Sequence, residues 1–460
     1  MLRKIYTTLF FLGLFFIPFN DYQGISALGE FKTESGALFL FAGFVFLIAD
    51  VFYSKKIVIP YKSLLFQLVL LFLLWCVVTT FLNLNTVFYS YFKHTTGINR
   101  FIRQYFALLI SSLFFFIFYI NVLAKMEIKE MFLKIRSVFL YSLIIASVYG
   151  FLETLITIFG FRFFIPVLDL FNYFPFLEVN FHPEGRISSI SYEPPFLAIY
   201  LISISSWMFS YILTSKKLTR FLPAIAVLVL THFSGSRTGL VVVFLQVLIF
   251  SIYLYKDIRF KVYIKNIVIA FFLIFSVLLV FNGEKVIKSV ATKIESLDFR
   301  SNLTKTISNQ SRFGIQYASI QVFKENPIIG VGFGQQAYHN RTHYPGWATK
   351  NNYEFELLYK NKKEKTFPPG YNLYTRLLAE TGLIGFILFM MLMYYSLKET
   401  WNIIKKTQNE EKILAIIILI TLVGLYVNWL QIDTFRMYGV WLSLAILIQF
   451  KSKLKTLKNE

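Results

Sequence analysis

Long apolar stretches alternate with short polar connections along most of the chain. A helix that crosses a bilayer needs about 20 mostly apolar residues at about 1.5 Å of rise each. On that measure the pattern predicts twelve spanning helices, at 4–19, 37–54, 61–82, 101–122, 135–160, 193–214, 221–235, 237–255, 265–281, 372–396, 411–429 and 433–450. The seventh is the shortest. The expected fold class is therefore an all-α integral membrane protein of about twelve helices. It divides into helices one to five (1–160), a first long loop (161–192), helices six to nine (193–281), a larger loop (282–371), and helices ten to twelve with a basic tail (372–460).

Within the larger loop, Ile315, Ala318, Val322 and Phe323 fall at i, i+3, i+7 and i+8, one face of an amphipathic helix interrupted by Ser319. Asn326-Pro327 should end that helix, and a glycine-rich turn follows. The first residues, MLRKIYTTLFFLGLFFIPF, resemble a signal peptide, but no small-x-small cleavage site follows. A retained first helix is expected.

Composition strengthens the membrane reading: the 460 residues are 56% hydrophobic and only 15% charged, where soluble domains average about 25% charged. The net charge of +21 would suggest nucleic acid in a soluble protein. Here it is distributed as a topology signal, and no nucleic-acid partner is expected. Lys and Arg concentrate in every second connection: Arg3 and Lys4, Lys55 to Lys62, Lys125 to Arg136, Lys216 to Arg220, Lys256 to Lys265, Lys398 to Lys412, and Lys451 to Lys458. Both termini are expected in the cytoplasm, with both long loops facing outward. Lys93, Arg100 and Arg103 break this pattern on one outward connection. Cys76 is the only cysteine, which excludes an intramolecular disulfide and a cysteine-based metal site. No internal repeat is visible, which weighs against a transporter built from paired halves.

Arg237 stands in SGSRTG, at the outer end between helices seven and eight, where the charge rule disfavours it. An isolated arginine there could simply snorkel to headgroups. Arg237 has company: EGRISSISYEPP carries Arg186 and Glu193 just before helix six, and SRFGIQYASIQVF carries Arg312 on the amphipathic helix. Three arginines can then converge on one outward face, and guanidinium forks suit a lipid-linked pyrophosphate. For Arg312 an ordinary solvated charge is the alternative.

SGSRTG, NPIIGVGFGQ and NLYTRLLAETGLIGFILF, in that order, resemble the O-antigen polymerase/ligase superfamily over roughly residues 183–390. The resemblance implies an enzyme of the bacterial inner membrane acting on undecaprenyl-pyrophosphate-linked oligosaccharide at the outer face; no DxD-type site or Walker motif appears in the chain, and no cofactor or metal is expected. It implies that Arg186 and Arg237 match the family's essential arginines, holding the donor's pyrophosphate. A chain-length regulator and a flippase are implied partners. Ligases of the family carry His-Asn, nine residues, then Gly-x-x-Gly. Tyr371, Asn372, Gly382 and Gly385 keep that spacing, with tyrosine in place of histidine. Tyrosine, whose phenol ordinarily titrates near pH ~10, is a poor base at neutral pH. The departure favours a polymerase over a ligase; a lipid-linked oligosaccharide flippase is the alternative from another class.

Glu193 is the nearest carboxylate for activating an acceptor hydroxyl, although a helix N-terminal charge explains it equally well. His339 and His343 could stand in for the missing histidine, or be ordinary loop residues. Glu153 lies inside a span, where a carboxylate is either functional or a packing contact. Arg376 and Glu380, at i and i+4, are spaced for a structural ion pair. Tyr338, Tyr344, Trp347 and Tyr353 could stack on sugars or pack a core. Trp401, Trp429 and Trp441 are expected at the membrane interfaces.

Overall fold

The computed structural model describes residues 1–180, 185–256, 261 and 306–459. It is mostly helical. In chain order the helices used below are α1 (Leu2–Phe15), α2 (Ser35–Ser54), α3 (Leu64–Leu82), α4 (Leu84–Tyr89), α5 (Gly97–Leu109), α6 (Phe115–Leu123), α7 (Ile128–Thr157), α8 (Ile165–Asp169), α9 (Pro194–Thr214), α10 (Leu222–Phe233) and α11 (Arg237–Lys256). After the undescribed stretch come α12 (Ile307–Glu325), α13 (Gln336–Asn340), α14 (Gly346–Thr349), α15 (Leu373–Lys406), α16 (Asn409–Asn428) and α17 (Tyr438–Asn459). A short hairpin, β1 (Tyr91–Phe92) and β2 (Thr95–Thr96), precedes α5.

Seven of the expected spans coincide with described helices long and apolar enough to cross a membrane: α2, α3, α5 through α6, α7, α9, α11 and α15. The fourth is continuous through a π-helical turn at Ile110–Phe114. The other five need separate treatment. The first helix stops at Phe15, short of the expected 19, because Pro18 offers no backbone N–H and disfavours helix at the residue before it. The seventh, α10, is only 12 residues long and begins at a proline-bearing first turn. α16 and α17 run 20 and 22 residues and bury most of their described side chains. The ninth, 265–281, lies outside the described residues.

The chain forms two compact units: residues Met1–Trp75, Ile102–Val247 and Ile387–Glu460, and residues Cys76–Phe101 and Leu248–Phe386. In the first unit α1 lies on α2 so closely that a Cβ on Gly13 would come within 2.6 Å of Leu40. The Gln246 amide ties α11 to its neighbours, donating to the Ile202 and Ile420 carbonyls at 2.9 and 3.2 Å and accepting from the Ser205 hydroxyl at 2.7 Å. Trp429 and Trp441 are 1% and 2% exposed. The expectation that they anchor an interface is corrected: their indoles donate to the Thr434 and Phe435 carbonyls inside the protein. Trp401 is exposed.

In the second unit the glycine-rich loop after α12 clips onto a break in α15. Gly382 has φ 62° and ψ −167°, a conformation for which glycine is suited. Beyond it, Leu383 N–H donates to the Pro327 carbonyl (2.8 Å) rather than continuing the helix. The helix carbonyls so released, Ala379 and Glu380, accept from Val331 and Gly332 at 3.0 Å each. The end of α3 closes the other side of the loop: Thr79 donates to the Ile329 carbonyl, Asn83 to Gly330, and Thr80 accepts from Phe333 N–H. NPIIGVGFGQ and ETGLIG are therefore two halves of one backbone exchange.

The misplaced positive charges have local reasons. Lys93 is buried and donates to the Leu358 carbonyl. The Arg100 guanidinium lies 3.8 Å from the centre of the Phe367 ring. Arg103 pairs with Glu30 at 2.8 Å. Each is held by structure, so none reports topology.

Candidate functional site

Two clusters collect the residues singled out by sequence, one in each unit. In the first unit, α10 ends at Phe233 and α11 starts at Arg237, leaving the turn Ser234-Gly235-Ser236. Gly235 is left-handed, at φ 62°. The Ser236 hydroxyl accepts from Gly239 N–H at 3.2 Å, capping α11. Arg186 lies across this turn. Its Nε donates to the Ser234 carbonyl at 3.2 Å, Ile187 N–H donates to the Phe233 carbonyl, and any Cβ on Gly235 would come within 3.0 Å of the Arg186 stem. Arg186 is half-buried and Arg237 exposed. Two arginines 51 positions apart (237 − 186) are thus brought to one turn, with the N-terminus of α11 adding its own partial positive charge.

The segment carrying Arg186 is anchored from below. Glu153 on α7 is fully buried, and its two oxygens accept from Ser188 N–H (3.1 Å) and Ser189 N–H (2.7 Å). The Ser189 hydroxyl donates to the Ala146 carbonyl, and Ser191 to Pro18. Sequence left Glu153 between function and packing; the structure gives it the task of holding the backbone beside Arg186. Glu193 is exposed at the N-cap position of α9, with no side-chain capping bond. A helix-terminal charge is its structural role.

In the second unit, α12 forms as the spacing predicts, with Ile315, Ala318 and Val322 buried; Phe323 is only half-buried. Ser319, the apparent interruption, is buried as well. Its hydroxyl donates to the Ile315 carbonyl and accepts from the Gln336 and Asn340 amides at 2.6 and 3.0 Å. Arg312 lies with its guanidinium 4.9 Å from the centre of the Tyr371 ring. Tyr371, left-handed at φ 54°, shares a 2.6 Å hydrogen bond with Tyr359, whose hydroxyl reaches Glu354 at 3.3 Å. Either phenol can be the donor in the Tyr359–Tyr371 bond. Burial, then the Tyr371 neighbour, pushes the Tyr359 phenol well above the usual range. Sequence reading missed Tyr359 and Glu354, because no local pattern shows that the π-helical turn Glu354–Tyr359 folds back onto Tyr371.

Asn372 has a structural occupation. Its Oδ1 accepts from Tyr374 and Thr375 N–H at 2.9 and 3.2 Å, capping α15. The Arg376–Glu380 pair forms at 3.1 Å and is almost fully buried, as the spacing suggests. His343 donates Nδ1–H to the His339 carbonyl at 3.0 Å and pairs through Nε2 with Glu325 at 2.8 Å. Burial lowers the His339 pKa, helped by the positive charges of His343 and Arg341, so His339 stays neutral at physiological pH. Tyr338 is buried and Tyr344 packs on Phe355, whereas Trp347 and Tyr353 are exposed. The first two are core residues, and the last two are accessible to a ligand.

The Arg186–Arg237 turn can take an anion; the Tyr371 cluster sets two paired phenols beside a guanidinium. No curated protein matches the chain. The family described as O-antigen ligase matches residues 221–390, a stretch that includes the SGSRTG turn, α12, the glycine-rich loop and the broken helix. This supports a glycan-transferring role in surface glycan assembly, of polymerase or ligase type. Over that stretch, somewhat more than a third of its length, the chain is similar to the O-antigen ligase family.

Proposed function

We propose that the protein is a surface-polysaccharide polymerase of the bacterial inner membrane. It transfers a growing glycan from undecaprenyl pyrophosphate to an incoming lipid-linked repeat unit at the outer face. The observation that carries this reading is the shared turn of Arg186 and Arg237: fixed positive charge at a helix N-terminus, beside apolar helices, suits a membrane-borne pyrophosphate.

Chemically, the acceptor hydroxyl oxygen forms a bond to the anomeric carbon while the bond from that carbon to the pyrophosphate oxygen breaks. The electron pair leaves with the pyrophosphate, where Arg186 and Arg237 stabilise the charge that develops. Attack from the opposite face inverts the anomeric configuration. The acceptor proton passes to a carboxylate, for which Glu193 is the candidate, or to water. In the second unit Tyr371, with Arg312 beside it, is a candidate for contact with the glycan. His339 and Asn372 remain candidates for glycan contact; the capping role of Asn372 makes it the weaker of the two.

A ligase is the second reading, favoured by the description of the matching family; tyrosine at 371 favours the polymerase. The test is a reconstituted assay with one purified lipid-linked repeat unit. Wild type should yield a ladder of lengthening products and Arg237→Ala none. Well-folded wild type that makes no ladder but passes glycan to a lipid A core acceptor would replace the polymerase with the ligase.

A further inference from the structure

In the second unit a shallow groove is lined by Asn85, Thr86, Tyr89, Ser90, Tyr91 and Arg341. Its framework is stiff. The two residues that turn the hairpin, Lys93 and His94, are both left-handed, at φ 51° and 58°, as a tight two-residue turn requires. The Lys93 ammonium is tied to the Leu358 carbonyl, and Tyr91 pairs in register with Thr96. Arg341 donates Nε to the Tyr338 carbonyl at 3.0 Å and lies 4.6 Å from the centre of the buried Phe92 ring. Those two contacts hold the guanidinium, and Arg341 contributes to the groove lining.

Above this framework, Tyr89 and Tyr91 are 79% and 60% exposed. Aromatic faces beside an amide, two hydroxyls and a fixed guanidinium match the two sides of a pyranose. The sugar's C–H face packs on the rings, and its hydroxyls exchange hydrogen bonds with the polar groups. We propose that this groove is a saccharide subsite that holds sugar residues of the transferred glycan, at a place the family match does not cover on the α4–hairpin side. The inference rests on the glycan-transferring function proposed above. Membrane docking is the competing use of exposed tyrosines. On α4, however, the exposed apolar pair is Leu84 and Phe88, at i and i+4. Asn85 and Tyr89 form the next i, i+4 pair round the helix and turn a polar lining to the groove.

The probe is a set of free oligosaccharides, one to three repeat units long, released by mild acid from the surface glycan of the source cells and so lacking pyrophosphate. Binding to the full chain in nanodiscs is measured by calorimetry and saturation-transfer NMR. Wild type should bind, with saturation transferred to sugar C–H protons. Tyr89→Ala/Tyr91→Ala should bind roughly tenfold or more weakly, and Tyr89→Phe/Tyr91→Phe should keep most of the affinity because the ring faces remain. Equal binding by the alanine variant and wild type would overturn the subsite. So would wild type that ignores the oligosaccharides while its alanine variant loses affinity for anionic vesicles, which would make the face a membrane contact. Elongation assayed in parallel separates the two claims. Wild type that elongates while the alanine variant binds and elongates identically refutes only the groove, whereas tyrosine-dependent binding without any glycan transfer refutes only the enzyme.

Discussion

Glu153 offers the sharpest test of how the arginine turn is held. Its carboxyl group is fully buried, and each oxygen takes one backbone N–H, from Ser188 at 3.1 Å and Ser189 at 2.7 Å. A buried donor left without an acceptor costs about 1–3 kcal/mol. Glu153→Gln keeps one acceptor and turns an NH2 toward the other donor, so it should destabilise the protein by about 1–3 kcal/mol. Glu153→Leu removes both acceptors and should cost about 2–6 kcal/mol, partly offset because an apolar side chain no longer has to leave water as a polar one. Ser189 sits at φ 53°, a conformation costly for a side-chain-bearing residue, so the segment should relax once its anchor weakens. Hydrogen exchange over residues 185–193 should then speed up in Glu153→Gln while α9 stays protected. Turnover in the glycan-transfer assay should fall by about ten- to a hundredfold, because Arg186 is only two residues from Ser188 and small misplacements are expensive. Exchange and unfolding in Glu153→Gln indistinguishable from wild type would refute the anchoring argument. Unchanged turnover with faster exchange would show that Arg186 does not depend on the anchor.

Two further outcomes follow from buried or paired charge. Arg376→Ala should destabilise by about 3–5 kcal/mol because it strands the buried Glu380 carboxylate; Arg376→Met/Glu380→Leu should recover most of the loss in denaturant unfolding, and a double variant as unstable as the single one would contradict this. The His343 pKa is pressed down by burial but carried above the usual histidine value by the His339 carbonyl and Glu325. Its folded-state pKa being raised, the pair's stabilisation is complete below the unfolded value near ~6.5 and lost as pH rises through the folded one. Wild type should therefore melt above Glu325→Gln at about pH 6 and level with it at about pH 9; a gap that widens with pH would reverse the sign.

Hydropathy alone determined the helical membrane class, because about 20 apolar residues in a row satisfy their backbone only as a helix, whatever lies elsewhere. Seven spans follow directly from that local rule, and the i, i+4 spacing of Arg376 and Glu380 likewise contains its own partner. The buried face of α12 was legible for the same reason, since its period lies within one helix. Tertiary structure decided whatever needs a distant partner. The carbonyls released at Gly382 are satisfied by Val331 and Gly332, and nothing in ETGLIG names the loop that supplies those N–H groups. Trp429 and Trp441 look like interface anchors in sequence, yet neighbouring helices cover them. Glu153 appeared as an isolated intramembrane charge until Ser188 and Ser189 were placed against it. Arg237 could be singled out by its unfavourable position and Arg186 as a companion charge before the sixth span, but only the crossing of the Ile187 segment over the Phe233–Gly235 turn puts them together. Periodicity is local and repeats along one element, whereas a hydrogen bond between residues dozens of positions apart leaves no mark on either stretch until the chain has folded.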